Sequence, residues 1–125
     1  MRALLDTSFL MLCADLGRDL LSLVADKLGE PLEPRTVPQV VEELRNLSRL
    51  EGRRGRAARV ALGMAERIAV VEPAGHGPAD EVLLQTASRD GSLLVTADLG
   101  IFRRALRAGM RAAFVSERGE VRLVT

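Results

Sequence analysis

Tryptophan and tyrosine are absent from this 125-residue chain, and Phe9, Phe102 and Phe114 are its only aromatic side chains. Little surface is left on which an exposed base could stack. Cys13 is the sole cysteine, which excludes a disulfide framework and a thiolate metal cluster; it reads as a small buried apolar side chain on a helix. His76 is the sole histidine. One imidazole in a Gly/Pro loop cannot build a zinc site, and it reads as a solvated loop residue. No apolar run approaches the ~20 residues needed to span a bilayer. Asp6 interrupts the first apolar run, which argues against a secretory signal. The expected location is therefore cytoplasmic, with no membrane partner.

What is present is the balance of a folded protein: 47% hydrophobic and 28% charged residues, at the usual size of one compact domain. No repeat, low-complexity segment or long linker divides residues 1–125, so a single domain is expected. The net charge is only +1, but it is unevenly spread. Residues 1–43 carry four basic and eight acidic side chains, whereas residues 44–67 carry seven arginines against Glu51 and Glu66. All basic residues except Lys27 are arginine, whose planar fork suits phosphate.

Periodicity alternates between strand and helix. Ala3-Leu4-Leu5 is a short strand ending in the cap-type residues Asp6-Thr7-Ser8. Helical spacing follows over residues 8–16 and 18–28, until Pro31 and Pro34 end it. Arg35-Thr36-Val37 reads as a second strand, and Pro38 suits the first position of a helix over residues 38–50. Residues 51–55 read as a charged turn and 56–68 as an alanine-rich helix. A third strand (69–71), a Gly/Pro loop, a helix (78–89), a fourth strand (92–96), a helix (99–108) and a fifth strand (112–115) complete the alternation. Arg118-Gly119 turns the chain, and residues 121–124 are placed to pair back as a final strand. The expected fold is α/β: a largely parallel five-stranded sheet with helices on both faces.

In such sheets, ligands bind beyond the carboxyl ends of the strands. Asp6 follows the first strand and Asp98 the fourth, although an Asp between strand and helix also caps helices. Helical geometry separates two acidic pairs, because residues three and four apart share a face. Glu42 aligns with Arg45, Asn46 and Arg49 on a solvated face, whereas Glu43 falls with Val40 and Leu47 on the inward side. Asp80 shares its stripe with Leu83, Leu84 and Ala87, and Glu81 shares one with Gln85 and Ser88. Asp80 is thus the inward acid, or simply an early acid favoured by its helix dipole. Carboxylates facing inward need neutralising, and an oxygen-only set suits Mg²⁺ or Mn²⁺.

Leu4-Leu5-Asp6-Thr7-Ser8, Val40-Val41-Glu42-Glu43-Leu44, Ala79-Asp80-Glu81 and Val95-Thr96-Ala97-Asp98, in this order and spacing, resemble the PIN-domain nucleases over essentially the whole chain. The resemblance implies a parallel sheet sandwiched by helices, and cleavage of RNA, usually single-stranded, with Mg²⁺ or Mn²⁺. Carried over position by position, the metal-binding acids are Asp6, Glu43, Asp80 and Asp98. The segment from Ala79 to the C-terminal hairpin is similar to the ribosomal-RNA-processing branch. The length and opening motif fit equally the toxins of prokaryotic toxin–antitoxin pairs, so the implied partners are RNA with an antitoxin or a ribosome-associated protein, and a homodimer is compatible. Ala97 departs from the polar residue many relatives carry there, and no attached zinc module is expected.

Metal-held carboxylates can activate water and stabilise the charge of phosphodiester cleavage. Thr7, Ser8 and Thr96 are candidates to orient the acids or bond a phosphate oxygen; capping or local turn bonding accounts for them equally. Arg53, Arg54 and Arg56, within the run that also holds Arg45, Arg49 and Arg59, are candidates to track phosphates, as are Arg103 and Arg104 with Arg107; a solvated charged face is the alternative. A phospho-accepting receiver domain needs paired acids after the first strand and a late lysine, and Lys27 is in the wrong place. A haloacid-dehalogenase-type phosphatase needs an Asp where Ser8 stands. A catalytically silent PIN-like RNA-binding or assembly module is the remaining alternative.

Overall fold

A computed structural model describes all 125 residues. In chain order the elements are β1 (Arg2–Leu5), α1 (Thr7–Leu16), α2 (Leu20–Leu28), β2 (Glu33–Thr36), α3 (Pro38–Leu47), α4 (Gly52–Ala65), β3 (Ala69–Val70), α5 (Ala79–Asp90), β4 (Leu93–Thr96), α6 (Leu99–Arg107), β5 (Ala112–Val115) and β6 (Val121–Val124). They form one six-stranded sheet in the order β3-β2-β1-β4-β5-β6. All neighbours are parallel except β5 and β6. The sheet therefore has six strands rather than the expected five. The sixth arises because the turn at Ser116–Gly119 returns the chain, pairing Val115 with Val121 and Ala112 with Val124. No helix is long and apolar enough to cross a membrane.

The central strands explain the core. Ala3, Leu4 and Leu5 of β1 and all of β4 are buried, as expected of parallel strands covered on both faces, whose sequences read as continuous apolar runs. Connections from β1 to β2 and from β4 to β5 travel in opposite directions along the sheet, and right-handed crossovers then put their helices on opposite faces. The reversal creates a switch point at the carboxyl ends of β1 and β4, where a crevice forms in open α/β sheets.

One segment differs from its sequence reading. Residues 51–55 are not a free charged turn: α4 already begins at Gly52, and α3 ends earlier, at Leu47. The cause is packing. Ala57, Ala58, Ala61 and Ala65 bury one face of α4, which lies against α1 and α3. At its start, Gly55 is buried so tightly that a Cβ there would meet the carbonyl oxygen of Leu50 at 1.7 Å. Arg59 donates from Nη1 to the carbonyl of Ser48 at 2.8 Å, closing the same corner. This close approach carries Arg53 and Arg54 to the switch point.

Two glycines of α4 should therefore respond oppositely to alanine. Gly55→Ala meets backbone that cannot swing aside and should cost ~1–3 kcal/mol or more. Gly63→Ala, with nothing within 4 Å of its new Cβ, should gain ~0.5–1 kcal/mol from helix propensity. Urea denaturation of both variants checks this; an equal response would contradict the close approach at Leu50.

Candidate active site

The register of β1 on β4 builds the centre of the site. Leu5 pairs with Val95, and Asp6 N–H extends the ladder by donating to the Val95 carbonyl at 3.2 Å. The next residues, Asp6 and Thr96, must then lie side by side. Asp6 is 2% exposed. Its Oδ1 accepts from the Phe9 amide at 2.8 Å and from Ser8 Oγ at 2.9 Å, and its Oδ2 accepts from Thr96 Oγ1. Thr96 Oγ1 in turn accepts the Asp98 amide at 2.9 Å, and Ser8 Oγ accepts the Ala97 amide at 3.0 Å. Two hydroxyls thus stitch the end of β1 to the end of β4 through one carboxylate.

Burial pushes the Asp6 carboxyl up to about 6, against the opposing effects of its hydrogen bonds from Thr96, Phe9 and Ser8, and the nearby Asp98 charge adds to the rise.

Helix direction gathers the other acids. Every helix that follows a parallel strand starts at the carboxyl edge of the sheet, and α5, running back toward the start of β4, also starts there. Asp98 caps α6, accepting the Ile101 amide on Oδ1 at 3.1 Å. Asp80 lies in the first turn of α5. Glu43 lies in the second turn of α3. All four acids line one open cleft of about 700 Å³, together with Thr7, Ser8, Arg54 and an apolar floor that includes Met11, Leu47, Leu83 and Ile101. The capping and cleft readings of Asp6 and Asp98 are not exclusive: each caps its helix and faces the cleft.

Several side chains sit differently from their sequence reading. Glu43 is exposed, while its neighbours Val40 and Leu44 take the buried face; it borders the core and opens onto the cleft rather than facing inward. Glu42 pairs with Arg45 at 2.9 Å on the solvated face as read. Asp80 and Glu81 are almost equally exposed, at 40% and 45%, so burial does not separate them; only Asp80 lines the cleft. Arg104 bonds both, reaching Asp80 Oδ2 at 3.2 Å and Glu81 Oε1. Thr96 lies behind Asp6, fully buried. Arg56 and Arg103 are exposed outside the cleft.

Two acidic residues of the cleft escaped the sequence reading, Asp15 and Glu117. Asp15 falls on the α1 face of Ser8, Met11 and Leu12, a spacing that was legible. Glu117 lies two residues beyond β5, where the strand-end rule that selects Asp98 also points.

Chemically, the cleft offers oxygen donors without a thiolate or imidazole, which fits a hard divalent ion. The hydroxyl of Thr7 is buried there without a hydrogen-bond partner, leaving capacity for a bound ligand or water. The acids share the cleft without three of them converging into a ready cage; Asp80 is held by Arg104.

The chain belongs to the PIN family: the family described as "PIN like domain" matches residues 3–118. Among solved structures it is similar to the PIN-domain endonuclease Utp24, with 24% identity over 98% of this chain and 90% of that one, and a TM-score of 0.77. It is also similar to VapBC-1 from nontypeable Haemophilus influenzae, with 14% identity over 91% of this chain and 98% of that one, and a TM-score of 0.65. No curated protein matches it significantly in sequence.

The buried Asp6 makes stability depend on pH. A carboxyl near 6 in the folded chain against 3.8 ordinarily corresponds to about 3 kcal/mol. The folded state binds this proton more tightly than the unfolded chain, so this contribution falls as pH rises from about 4 and is lost above about 6. Asp6→Asn keeps a good cap for α1 and carries no charge. In metal-free buffer its melting temperature, relative to wild type, should rise progressively between about pH 4 and about pH 7. Parallel melting curves across that range would contradict the burial argument.

Proposed function

We propose that this chain is a Mg²⁺- or Mn²⁺-dependent ribonuclease that hydrolyses phosphodiester bonds of single-stranded RNA in this cleft. The observation that carries the reading is the common cleft of Asp6, Glu43, Asp80 and Asp98 at the sheet's switch point. These four would hold the ion, which when bound lowers the pKa of a water and offsets charge developing on the phosphate. Ser8 and Thr96 fix Asp6 by hydrogen bonds, so that its orientation is set before substrate arrives. Asp98 uses Oδ1 to cap its helix, which leaves Oδ2 to bind the ion. Arg54 lines the cleft and would meet a phosphate there. The apolar floor accepts unstacked bases with little sequence readout, because it offers few hydrogen-bonding groups.

Ribosomal-RNA processing and the toxin role in a toxin–antitoxin pair, set in the cytoplasm, use this same chemistry with different partners. One observation favours a second reading, a catalytically silent RNA-binding or assembly module: Arg104 engages Asp80, one of the acids the ion requires.

Cleavage of a labelled single-stranded RNA with Mn²⁺ separates the two readings. Wild type should cleave, and Asp98→Asn and Glu43→Gln should each lose more than ~100-fold, since even outer supports of a metal site cost 10–100-fold. Glu42→Gln, on the solvated face, should stay within a few-fold of wild type. Binding without cleavage by the wild-type protein would favour the silent module, and full activity in Asp98→Asn would refute the four-acid site.

A further inference from the structure

We propose that Asp15 is a positioning residue that presents Arg53 to the RNA backbone at the mouth of the cleft. This assignment rests on the nuclease reading above and deepens it. Asp15 comes from the last turn of α1 and Arg53 from the first turn of α4, and both line the cleft with Asp6 and Asp98. Arg53 Nε donates to Asp15 Oδ1 at 2.8 Å and Nη2 to Oδ2 at 2.9 Å. This fork occupies one edge of the guanidinium and fixes its plane. The opposite edge, with Nη1, makes no hydrogen bond within the chain, and the Arg53 side chain is 77% exposed.

Neither partner is needed where it stands for stability, because an exposed ion pair contributes little. A further acid in a cleft already lined by five carboxylates also opposes phosphate binding by simple Coulomb repulsion. Asp15 is accounted for if its task is to hold the long Arg53 side chain in one orientation, so that less rotamer entropy is lost when a phosphate docks on the free edge. Arg54, the next residue, lines the same cleft and gives the backbone a second cation.

The sign of a single substitution decides the matter. On charge alone, Asp15→Asn removes a repulsive carboxylate and frees Arg53, so RNA should bind more tightly. A positioning role predicts the reverse. The probe is a labelled mixed-sequence single-stranded RNA of about 12 nucleotides, within the range one such groove tracks. Its Kd is read in Ca²⁺ at several salt concentrations, and kcat and KM in Mn²⁺.

Asp15→Asn should raise Kd and KM about 5–10-fold with kcat nearly unchanged, as loss of one oriented charged contact would. It should also flatten the slope of log affinity against log salt by about 0.7, the value of one single-strand phosphate contact. Arg53→Gln should do the same, and adding Asp15→Asn to it should change nothing further. Arg53→Lys, which keeps the charge but lacks the fork, should bind like Arg53→Gln. Unchanged or tighter binding by Asp15→Asn, or wild-type binding by Arg53→Lys, overturns the assignment while leaving the nuclease reading intact. A wild-type protein that neither binds nor cleaves this RNA overturns both.

Discussion

The pairing of Leu5 with Val95 is the constraint on which the site depends. It brings Asp6 and Thr96 together at adjacent strand ends, and Ser8 completes the bridge through Asp6 and the Ala97 amide. A slip of one residue would part Asp6 from Thr96 and leave their buried polar groups unpaired, at a cost of ~1–3 kcal/mol for each. The register of the central strands and the geometry of the site are therefore held by the same buried hydrogen bonds. Topology then does the gathering: α1 and α6 begin at the two strand ends flanking the switch point, and α3 and α5 begin along the same edge.

That arrangement concentrates negative charge, and the fold offsets it in two ways. Helix N-termini supply partial positive charge beside Asp6, Asp80 and Asp98. Arginines from elsewhere supply the rest: Arg104 engages Asp80 and Glu81, and Arg53 engages Asp15. Asp6 has no cation partner, and burial holds its proton to about 6. A bound divalent ion, as proposed, would favour release of that proton and relieve the crowding of like charges.

Much of this was legible in the sequence. Continuous apolar runs marked β1 and β4, and Pro38 marked the start of α3, because these signals are local. Strand-end position pointed to Asp6 and Asp98, and helical spacing chose Glu43 and Asp80 over their neighbours; all four line the cleft. Glu43 differs from the inward position its spacing predicts, since that side chain is exposed at the cleft rather than turned to the core. What the sequence hid is long-range. The start of α4 at Gly52 depends on Gly55 meeting the Leu50 carbonyl and on an alanine face seated on α1 and α3. The engagement of Arg53 by Asp15, 38 residues apart, and of Asp80 by Arg104, 24 apart, are products of tertiary packing that no local pattern carries. Arg56 and Arg103, grouped with their neighbours by charge alone, are exposed outside the cleft.

The central claim is that these carboxylates together form a site for one class of ion. Anomalous diffraction from crystals grown in saturating Mn²⁺ tests it most directly. The account predicts a manganese peak in the cleft, coordinated by the carboxylates of Asp6 and Asp98. Crystals with an open, solvent-accessible cleft and no manganese within it at saturating concentration would contradict the account.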